Sequence, residues 1–209
     1  MCEVFCATWA QPEKNIILAS SSPRRMDLLK RIGISFETVA PRVENENSFL
    51  EPTDIETSLQ RLAVEKARSV SRNNPQALVL GADTIVWSDG KVLGKPRDAA
   101  EARSMLLMLS GVRHTVYSAI SLLCEAESFL ESAVAKTEVF FRKINEREID
   151  TYIDCGEYID KAGGYGIQGR AMIFVTGIEG CFYNVVGLPI VKTISLFNAY
   201  MTRKERSNG

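Results

Sequence analysis

The sequence predicts an α/β protein in which helices surround a mixed sheet. Segments with strand character alternate with segments whose apolar residues recur at helical spacing, and this order is typical of βα units. Two turns, Asp89-Gly90 and Glu179-Gly180, indicate hairpins, which add antiparallel strands. The 209 residues suffice for one large domain or for two small lobes that share a core.

Strands and helices alternate in the N-terminal half. Ser22 is placed to cap a helix that begins at Pro23, and Gly33 ends this helix. The segment Ala77–Trp87 is almost continuously apolar, which predicts a strand in the middle of the sheet. The other elements predicted here are the strands Asn15–Ala19 and Phe36–Val39 and the helix Thr57–Val70.

The C-terminal half combines capped helices with hairpin strands. Asp98 and Glu101 have capping-box spacing before a helix that ends at Gly111. Asn145 and Glu148 have the same spacing before the next helix. The remaining predictions are the strands His114–Cys124 and Ala133–Phe141, a second hairpin of Met172–Gly177 with Cys181–Val186, and a final helix Leu188–Met201.

Composition is typical of a soluble globular protein and argues against several classes of function. The formal net charge is −1, so the field of the whole chain favours neither nucleic acid nor an anionic membrane. No apolar run approaches the roughly 20 residues that span a bilayer. The five cysteines are odd in number and mostly scattered, which favours free thiols in a cytoplasmic protein.

The two ends of the chain carry little pattern. Residues 1–14 lack the basic start and the long apolar stretch of a signal peptide, so they are predicted to be a short extension. Residues 15–201 are predicted to form the domain. The polar and basic residues 202–209 are predicted to be a flexible tail.

The segment Ser20–Arg25 is a candidate anion site. It follows a strand and begins a helix, where free backbone N–H groups and the helix dipole attract negative charge. Ser20, Arg24 and Arg25 add side-chain donors that suit a polyphosphate. A capped helix with solvated arginines explains this segment equally well when it is taken alone.

Asp83 is the strongest candidate for chemistry, because it lies inside the apolar strand Ala77–Trp87. A buried carboxylate is costly unless it is paired, so such an acid is either neutralised structurally or used to bind a metal or to accept a proton. We favour the functional role. Gly81, two residues earlier, would let a ligand approach the backbone closely.

Two lysines, a glutamate and a histidine are weaker candidates. Lys66 lies on a predicted helix and Lys95 follows the first hairpin; lysines in such places are usually solvated, and Lys95 is the better candidate. Glu44 becomes relevant only if Asp83 needs a second carboxylate to hold Mg²⁺. His114 has no second histidine to act with, and a lone histidine is more often structural than catalytic.

A glycine-rich segment contains Gly164, Gly166 and Gly169, which have the spacing of a dinucleotide fingerprint. That fingerprint requires a strand before it and a helix after it, whereas here a helix and loop precede and a strand is predicted to follow. We therefore favour a rigid loop close to a ligand. In this loop Gln168 offers an amide that can donate and accept hydrogen bonds.

Taken in order, these motifs resemble those of the Maf-like nucleotide pyrophosphatases. The resemblance covers about Ile16 to Tyr200, and the ordered set is specific although each motif alone is weak. One departure is Ser118, where the family usually has Thr. The matching segments are Leu18–Arg25, Glu44, Glu65–Ala67, Gly81–Thr84, Gly94–Pro96, Leu109–Gly111 with His114, Asp160–Gly163 with Gly166–Gly169, and Val186–Pro189.

This resemblance implies an elongated fold similar to the inosine-triphosphate pyrophosphatases, with two lobes around a cleft, and often a homodimer. It implies hydrolysis of a nucleoside triphosphate between the α- and β-phosphates with Mg²⁺ or Mn²⁺. By this match Asp83 accepts a proton from water and, with Glu44, binds the metal. The residues expected to hold the phosphates are Ser20, Arg24, Arg25, Lys66 and Lys95.

The resemblance also extends to a subgroup. Arg24, Thr84 and Gln168 match the residues of the members associated with dTTP and UTP, whereas a sister group associated with 7-methyl-GTP has Trp, Gln and Glu there. The amide of Gln168 suits the donor–acceptor edge of a pyrimidine. Two alternatives stay open: the same reaction on a modified or different nucleotide, and a non-catalytic regulator of cell division.

Overall fold

A computed structural model describes residues 11–208, and its centre is one seven-stranded sheet. The strands are β1 (Ile16–Ala19), β2 (Glu37–Thr38), β3 (Leu78–Ser88), β4 (Lys91–Leu93), β5 (Arg113–Cys124), β6 (Phe129–Phe141) and β7 (Val175–Glu179). They lie in the order β2-β1-β3-β5-β6-β7, with β4 also paired to β3. β1 is parallel to β2 and β3, and the other neighbouring pairs are antiparallel, which confirms the predicted mixed sheet.

Helices pack around this sheet, and some of their ends carry the predicted caps. Asn145 and Glu148 form a complete capping box. Asp98 accepts a hydrogen bond from the N–H of Glu101, but the Glu101 carboxylate bonds the N–H of Arg97 instead, so only half of that predicted box forms. The helices are α1 (Pro23–Arg31), α2 (Ile55–Ser71), α3 (Ala99–Leu109), α4 (Glu146–Asp154), α5 (Phe182–Val186) and α6 (Ile190–Asn208).

The central strand β3 has a gap along one of its edges. β1 pairs with residues 78–81 of β3, and β4 pairs with residues 86–88 on the same edge. Within the described part of the chain, no strand covers residues 82–85 there, whereas β5 covers the opposite edge continuously. The gap therefore exposes the backbone edge of β3 at Asp83 and Thr84, in the middle of an otherwise continuous sheet.

Two large hydrophobic cores lie along the sheet and form the two lobes of the fold, and two smaller clusters lie under helix α2. The first core packs α1 and α6 against β1 and the first half of β3, with Leu29 and Phe197 fully buried. The second packs α3 and α4 against β6 and the far ends of β3 and β5, with Leu106 and Ile149 fully buried. The predicted two-lobed α/β architecture is confirmed.

Helix α2 approaches β3 unusually closely at Gly81. A Cβ atom at this position would collide with the carbonyl oxygen of Ala63 and would lie 2.9 Å from the backbone nitrogen of Ala67. The Ser121 hydroxyl of β5 donates to the same Ala63 carbonyl at 2.8 Å. The prediction that Gly81 makes room for a ligand is therefore wrong, because a helix fills that space.

The second predicted hairpin is also wrong. Most of Cys181–Val186 forms helix α5, and the predicted strand Met172–Gly177 begins as a 3₁₀ helix, Arg170–Phe174, before β7. The fully buried Asn184 explains the helix, because its amide donates to a β5 carbonyl and to the Thr137 hydroxyl, each at 3.0 Å. These bonds hold α5 across the face of two strands.

The N-terminal extension is partly packed on the domain. Gln11 exchanges two hydrogen bonds with the backbone of Ser35, and Lys14 forms an ion pair with Glu127 at 2.9 Å. Both contacts attach the segment to the first lobe. Residues 1–10 of the predicted extension lie outside the described residues.

Helix α6 continues to Asn208, beyond its predicted end at Met201. Arg203 donates to the carbonyl of Glu127 at 3.2 Å, and Lys204 forms an ion pair with the Glu127 carboxylate at 2.7 Å. These contacts favour helix where the sequence predicts a flexible tail. Among residues 11–208, no helix is both long enough and apolar enough to cross a bilayer.

We expect Gly81→Ala to lower the free energy of unfolding by about 1–3 kcal/mol, because the added methyl group must push α2 away from β3. Urea denaturation measures this change. Gly94→Ala is the matched control, since a Cβ at Gly94 has no neighbour within 4 Å. Equal midpoints for the two variants would contradict the close packing of α2.

Candidate active site

A cleft of about 270 Å³ opens at the gap in β3. The turn after β1 and the start of α1 line one side, and residues 160–169 line the other. The end of α5 also borders it. Its polar side chains are Ser20, Ser21, Ser22, Arg24, Arg25, Glu46, Lys66, Asp83, Thr84, Lys95, Asp160, Lys161, Tyr165 and Gln168. Every predicted site residue except Glu44 is in this set.

Asp83 meets a buried lysine in the cleft. The Lys66 ammonium lies 2.6 Å from Asp83 Oδ1 and 2.8 Å from Glu46 Oε2. The side chains of Lys66 and Asp83 are only 8% and 14% exposed, so their charges depend on each other more than on water. The close approach of α2 at Gly81 brings Lys66 to this position.

Glu46, and not the predicted Glu44, contacts Lys66 in the cleft. Glu44 and Glu46 are both exposed, but Glu44 is not among the residues that line the cleft. Asn45 has a positive φ of 50° and precedes a 3₁₀ turn, Glu46–Phe49, and this backbone directs Glu46 towards Lys66. The sequence does not reveal which of two acidic residues two positions apart faces the cleft, because the backbone conformation between them decides this.

The backbone at the start of α1 has a geometry that suits an anion. Ser22 occupies the N-cap but its side chain makes no capping bond, so the first N–H groups of the helix are not capped by it. The buried Ser20 hydroxyl accepts a bond from the N–H of Ser22 at 3.2 Å and orders the turn. A bound anion would meet these N–H groups and the positive end of the helix dipole.

Arg24, Lys95 and Lys161 place three cations around Asp160. Arg24 donates to the Asp160 carbonyl at 3.0 Å, and Lys95 lies 3.6 Å from the Asp160 carboxylate. Burial lowers the pKa of Arg24, which Asp160 partly opposes. Burial also lowers the pKa of Lys161, and Arg24 adds to this by repulsion. Cations held this closely together favour a polyanionic ligand. Lys161 was not among the site residues predicted from the sequence.

Arg25 is bonded mainly to the protein itself. Its guanidinium donates to Gly187 O (2.9 Å), Ala82 O (2.9 Å), Ser20 Oγ (3.1 Å) and Thr84 Oγ1 (3.1 Å). Burial lowers its pKa, although Asp83 opposes this. Arginine has five N–H donors, so at most one remains for a ligand. Its predicted role as a phosphate ligand is therefore limited by its own bonding.

The glycine-rich loop is anchored by a buried pair of rings. Tyr165 is bonded to His114 through its hydroxyl at 2.7 Å, and both rings pack edge-on against Phe141. Gly163 packs on Val86 of β3, where a Cβ would lie 2.9 Å from a methyl group. This anchoring holds the loop so that Gln168 is exposed at the cleft. His114 thus has a structural role, as predicted for a histidine with no second histidine to act with.

Comparison of the sequence with known proteins identifies the family. The family model described as Maf-like protein matches residues 15–200. The chain belongs to the Maf-like family. A dTTP/UTP pyrophosphatase of Pelotomaculum thermopropionicum is 44% identical over 90% of this chain and 97% of its own. Another dTTP/UTP pyrophosphatase, from Bacillus cytotoxicus, is 46% identical over 87% of this chain and 93% of its own.

Solved structures give a more distant likeness. The nucleoside-triphosphatase / dITP/XTP pyrophosphatase of Mycobacterium abscessus matches this Maf-like chain with a TM-score of 0.43 and 18% identity. The match covers 92% of this chain and 96% of that chain. A HAM1 protein from Coxiella burnetii matches with a TM-score of 0.42 and 16% identity over 61% of this chain and 73% of that chain.

The carboxylates of the Maf-like site suit a hard divalent cation. Asp83 and Glu46 each use one oxygen on Lys66, which leaves each carboxylate a second oxygen. Oxygen donors from one or two carboxylates, completed by substrate phosphates, are the usual surroundings of Mg²⁺. No group of three or more His, Cys, Asp or Glu side chains in residues 11–208 would hold a metal by itself.

We expect the stability of the protein to fall as the pH decreases from about 6.5 to about 4. Burial lowers the pKa of His114 from 6.5 to about 4, so the unfolded chain binds a proton in this range and the folded chain does not. The slope is roughly 1.4 kcal/mol per pH unit for one such group. His114 is the only histidine in the sequence, so His114→Gln should flatten this part of the curve.

Chemical denaturation at several pH values between 4 and 7 measures this slope for both proteins. Below pH 4, the wild type and His114→Gln should both lose stability. Glu148 titrates in that range in both proteins, because Arg142 lowers its pKa to about 2. Parallel curves for the two proteins between pH 4 and 6.5 would show that His114 is not the titrating group.

Proposed function

We propose that this chain hydrolyses dTTP and UTP to the nucleoside monophosphate and pyrophosphate. The observation that carries this proposal is the meeting of Asp83 and Lys66 at the sheet gap, beside a helix N-terminus and the cations Arg24 and Lys95. Such a set combines a proton acceptor with groups that stabilise phosphate charge. The curated relatives with this name support the choice of nucleotides.

In the proposed reaction, the oxygen of a water molecule forms a bond to the α-phosphorus, and a proton of this water passes to the Asp83 carboxylate. The anhydride bond between the α- and β-phosphates breaks, and pyrophosphate leaves with the electron pair of that bond. Lys66 holds the carboxylate in place at 2.6 Å. Arg24, Lys95 and the α1 N-terminus stabilise the charge that builds on the phosphate oxygens.

We further propose that Mg²⁺ or Mn²⁺ is required, with Asp83 and Glu46 as its protein ligands. A divalent cation bound there would neutralise phosphate charge and orient the anhydride. The two carboxylates, which Lys66 holds together, supply oxygen donors of the type such ions prefer. This assignment replaces Glu44 by Glu46.

Base selection is proposed to rest on the loop that carries Gln168. Gln168 is exposed at the cleft, where its amide can both donate to and accept from a pyrimidine edge. Arg24 contributes from the start of α1 and reaches across the cleft, where its guanidinium donates to the Asp160 carbonyl. The homodimer, the cytoplasmic location and the link to cell division stay predictions.

A nucleotide panel tests the reaction and its specificity. With Mg²⁺, we expect pyrophosphate from dTTP and UTP but little from CTP, dCTP, GTP, 7-methyl-GTP or ITP. Asp83→Asn should lower kcat by about 10²–10⁴-fold, the usual contribution of a general base. Asp89→Asn, an exposed position of the hairpin, is the matched control. Turnover of only the other nucleotides would support the proposed pyrophosphatase reaction but contradict the proposed preference for dTTP and UTP.

Lys95→Met tests phosphate binding. We expect KM for UTP to rise by about 10- to 100-fold, as for the loss of a charge-assisted hydrogen bond of about 1.5–3 kcal/mol. Lys91→Met is the control, because Lys91 is exposed on the same hairpin and does not line the cleft. Similar KM values for the two variants would contradict a role of Lys95.

Metal dependence separates the two glutamates. Chelation with EDTA should abolish turnover, and added Mn²⁺ should restore it. Glu46→Gln should raise the Mn²⁺ concentration for half-maximal rate by about tenfold, whereas Glu44→Gln should leave it unchanged, because only Glu46 contacts Lys66 in the cleft. The reverse result would return the metal role to Glu44.

A further inference from the structure

The turn that presents Gln168 is closed by a backbone hydrogen bond. The N–H of Gly169 donates to the carbonyl of Gly166 at 3.0 Å, which makes the exposed Gln168 the third of the four residues of this turn. Such a bond fixes the shape of the turn but not its place on the protein. The position of the Gln168 amide at the cleft therefore depends on what holds the two ends of the turn.

The Glu157 carboxylate holds the end of the turn. Its Oε2 atom accepts a hydrogen bond from the backbone N–H of Arg170 at 2.8 Å. Arg170 begins the 3₁₀ helix that follows the turn, and the residue before this helix, Gly169, has no side chain that could cap it. Glu157 supplies the missing acceptor from the segment that follows α4.

Gly169 admits this carboxylate because it has no side chain. A Cβ atom at Gly169 would collide with Glu157 Oε2 and would lie 3.0 Å from the carboxyl carbon. The backbone of Gly169 is extended, with a φ of −104°, so alanine is compatible with its conformation. An alanine here would thus act mainly by displacing the Glu157 carboxylate.

Lys161 holds the beginning of the same turn. A Cβ atom at Gly166 would lie 2.7 Å from Lys161 Cε and 2.8 Å from its Cδ, so the lysine stem packs directly on this glycine. Glu157 and Lys161 belong to one short segment, which leaves α4 through Gly156 in the left-handed conformation with a φ of 70°. This segment therefore contacts both ends of the turn.

The same segment contacts Arg24, the second residue proposed to select the base. Arg24 donates to the carbonyl of Asp160 at 3.0 Å, three residues after Glu157. Glu157 itself is not among the residues that line the cleft. Its contact with the turn therefore sets the place of Gln168 relative to Arg24 without a contact of its own with the substrate.

We propose that Glu157 is a positioning residue for base selection, which acts through Gly169 and the turn on the Gln168 amide. This inference rests on the proposed pyrophosphatase function, in which Gln168 binds the pyrimidine edge. Uracil and cytosine exchange a donor and an acceptor along this edge. An amide, which can both donate and accept, distinguishes them only when its orientation is fixed.

The decisive variants are Glu157→Ala and Gly169→Ala, assayed with UTP and CTP. Each should lower the ratio of kcat/KM for UTP over CTP by about 3- to 10-fold, the effect of about one hydrogen bond. KM for UTP should rise while kcat stays within about twofold, because a base contact is made equally before and during the chemical step. Glu157→Gln keeps an acceptor oxygen for the Arg170 N–H and should restore most of the ratio.

Double variants show whether the effect passes through the turn. The Glu157→Ala protein has no carboxylate for a methyl group to displace, so adding Gly169→Ala should change the ratio no further. In a Gln168→Ala background, Glu157→Ala should leave the ratio unchanged, because no amide remains to be positioned.

Arg170→Ala and Gly177→Ala are the matched controls. Arg170→Ala keeps the N–H that Glu157 accepts and removes only the guanidinium, which is 67% exposed and 3.6 Å from Glu157 Oε1. A Cβ atom at Gly177 on β7 would have no neighbour closer than 4.0 Å. Both variants should keep the wild-type ratio, and melting temperatures of all variants separate loss of folding from loss of base selection.

Two outcomes would overturn the inference while the proposed function stands. One is an unchanged UTP to CTP ratio in Glu157→Ala, whatever its melting temperature, which would indicate a purely structural contact. The other is a full additional loss on combining Glu157→Ala with Gln168→Ala, which would show that Glu157 acts by another route.

Calorimetric binding of UMP, the proposed product, gives the same comparison without turnover. Glu157→Ala should raise the Kd for UMP by about 3- to 10-fold, and Arg170→Ala should leave it unchanged. If the wild type hydrolysed no nucleotide, the proposed reaction would be overturned, and the UMP titration would still decide whether Glu157 positions the base contact.

Discussion

The ion pair between Lys66 and Asp83 is the interaction on which the site depends. Lysine and aspartate are rarely buried, and removal of one partner from a buried pair typically costs about 3–5 kcal/mol. The fold meets this demand with backbone geometry: Gly81 lets α2 contact β3 without an intervening side chain, and Lys66, three residues after Ala63, then lies over Asp83. Glu46 shares the ammonium and completes the cluster.

The interruption of the sheet is the second constraint. A central strand normally has partners on both edges, because unpaired backbone groups in the interior are costly. Here the pairing of β1 with β3 ends at Gly81, and the pairing of β4 with β3 begins only at Val86. The edge of β3 between these two positions opens into the cleft. Arg25 donates to the Ala82 carbonyl on this open edge and ties it to the turn before α1 and to Gly187. The opening is thus available to a ligand and is also held in shape.

The order of the elements and the identity of most site residues were predictable. Asp83 was recognisable because a carboxylate in an apolar run is rare. The Ser20–Arg25 segment was recognisable because serine, proline and arginine after a strand indicate the start of a helix. The α5 segment was predicted as a strand because its apolar residues are compatible with either structure. The helix is favoured by the buried hydrogen bonds that Asn184 donates to β5 and β6. The sequence predicts Glu44, whereas Glu46 lines the cleft, because no pattern in this segment fixes the direction of the turn between them.

The sequence by itself determined the α/β class, the N-cap residues of α3 and α4, the membership in the Maf-like family and most of the charged residues that line the cleft. These features depend on local chemistry: periodic apolar residues, capping side chains and glycines near one another in the chain. Only the tertiary structure decided that Gly81 receives a helix, that Glu46 turns inward, and that Arg25 and Thr84 are occupied by protein partners. Those outcomes depend on atoms that are distant in sequence, since the partner of each group is chosen by packing and no local pattern encodes it.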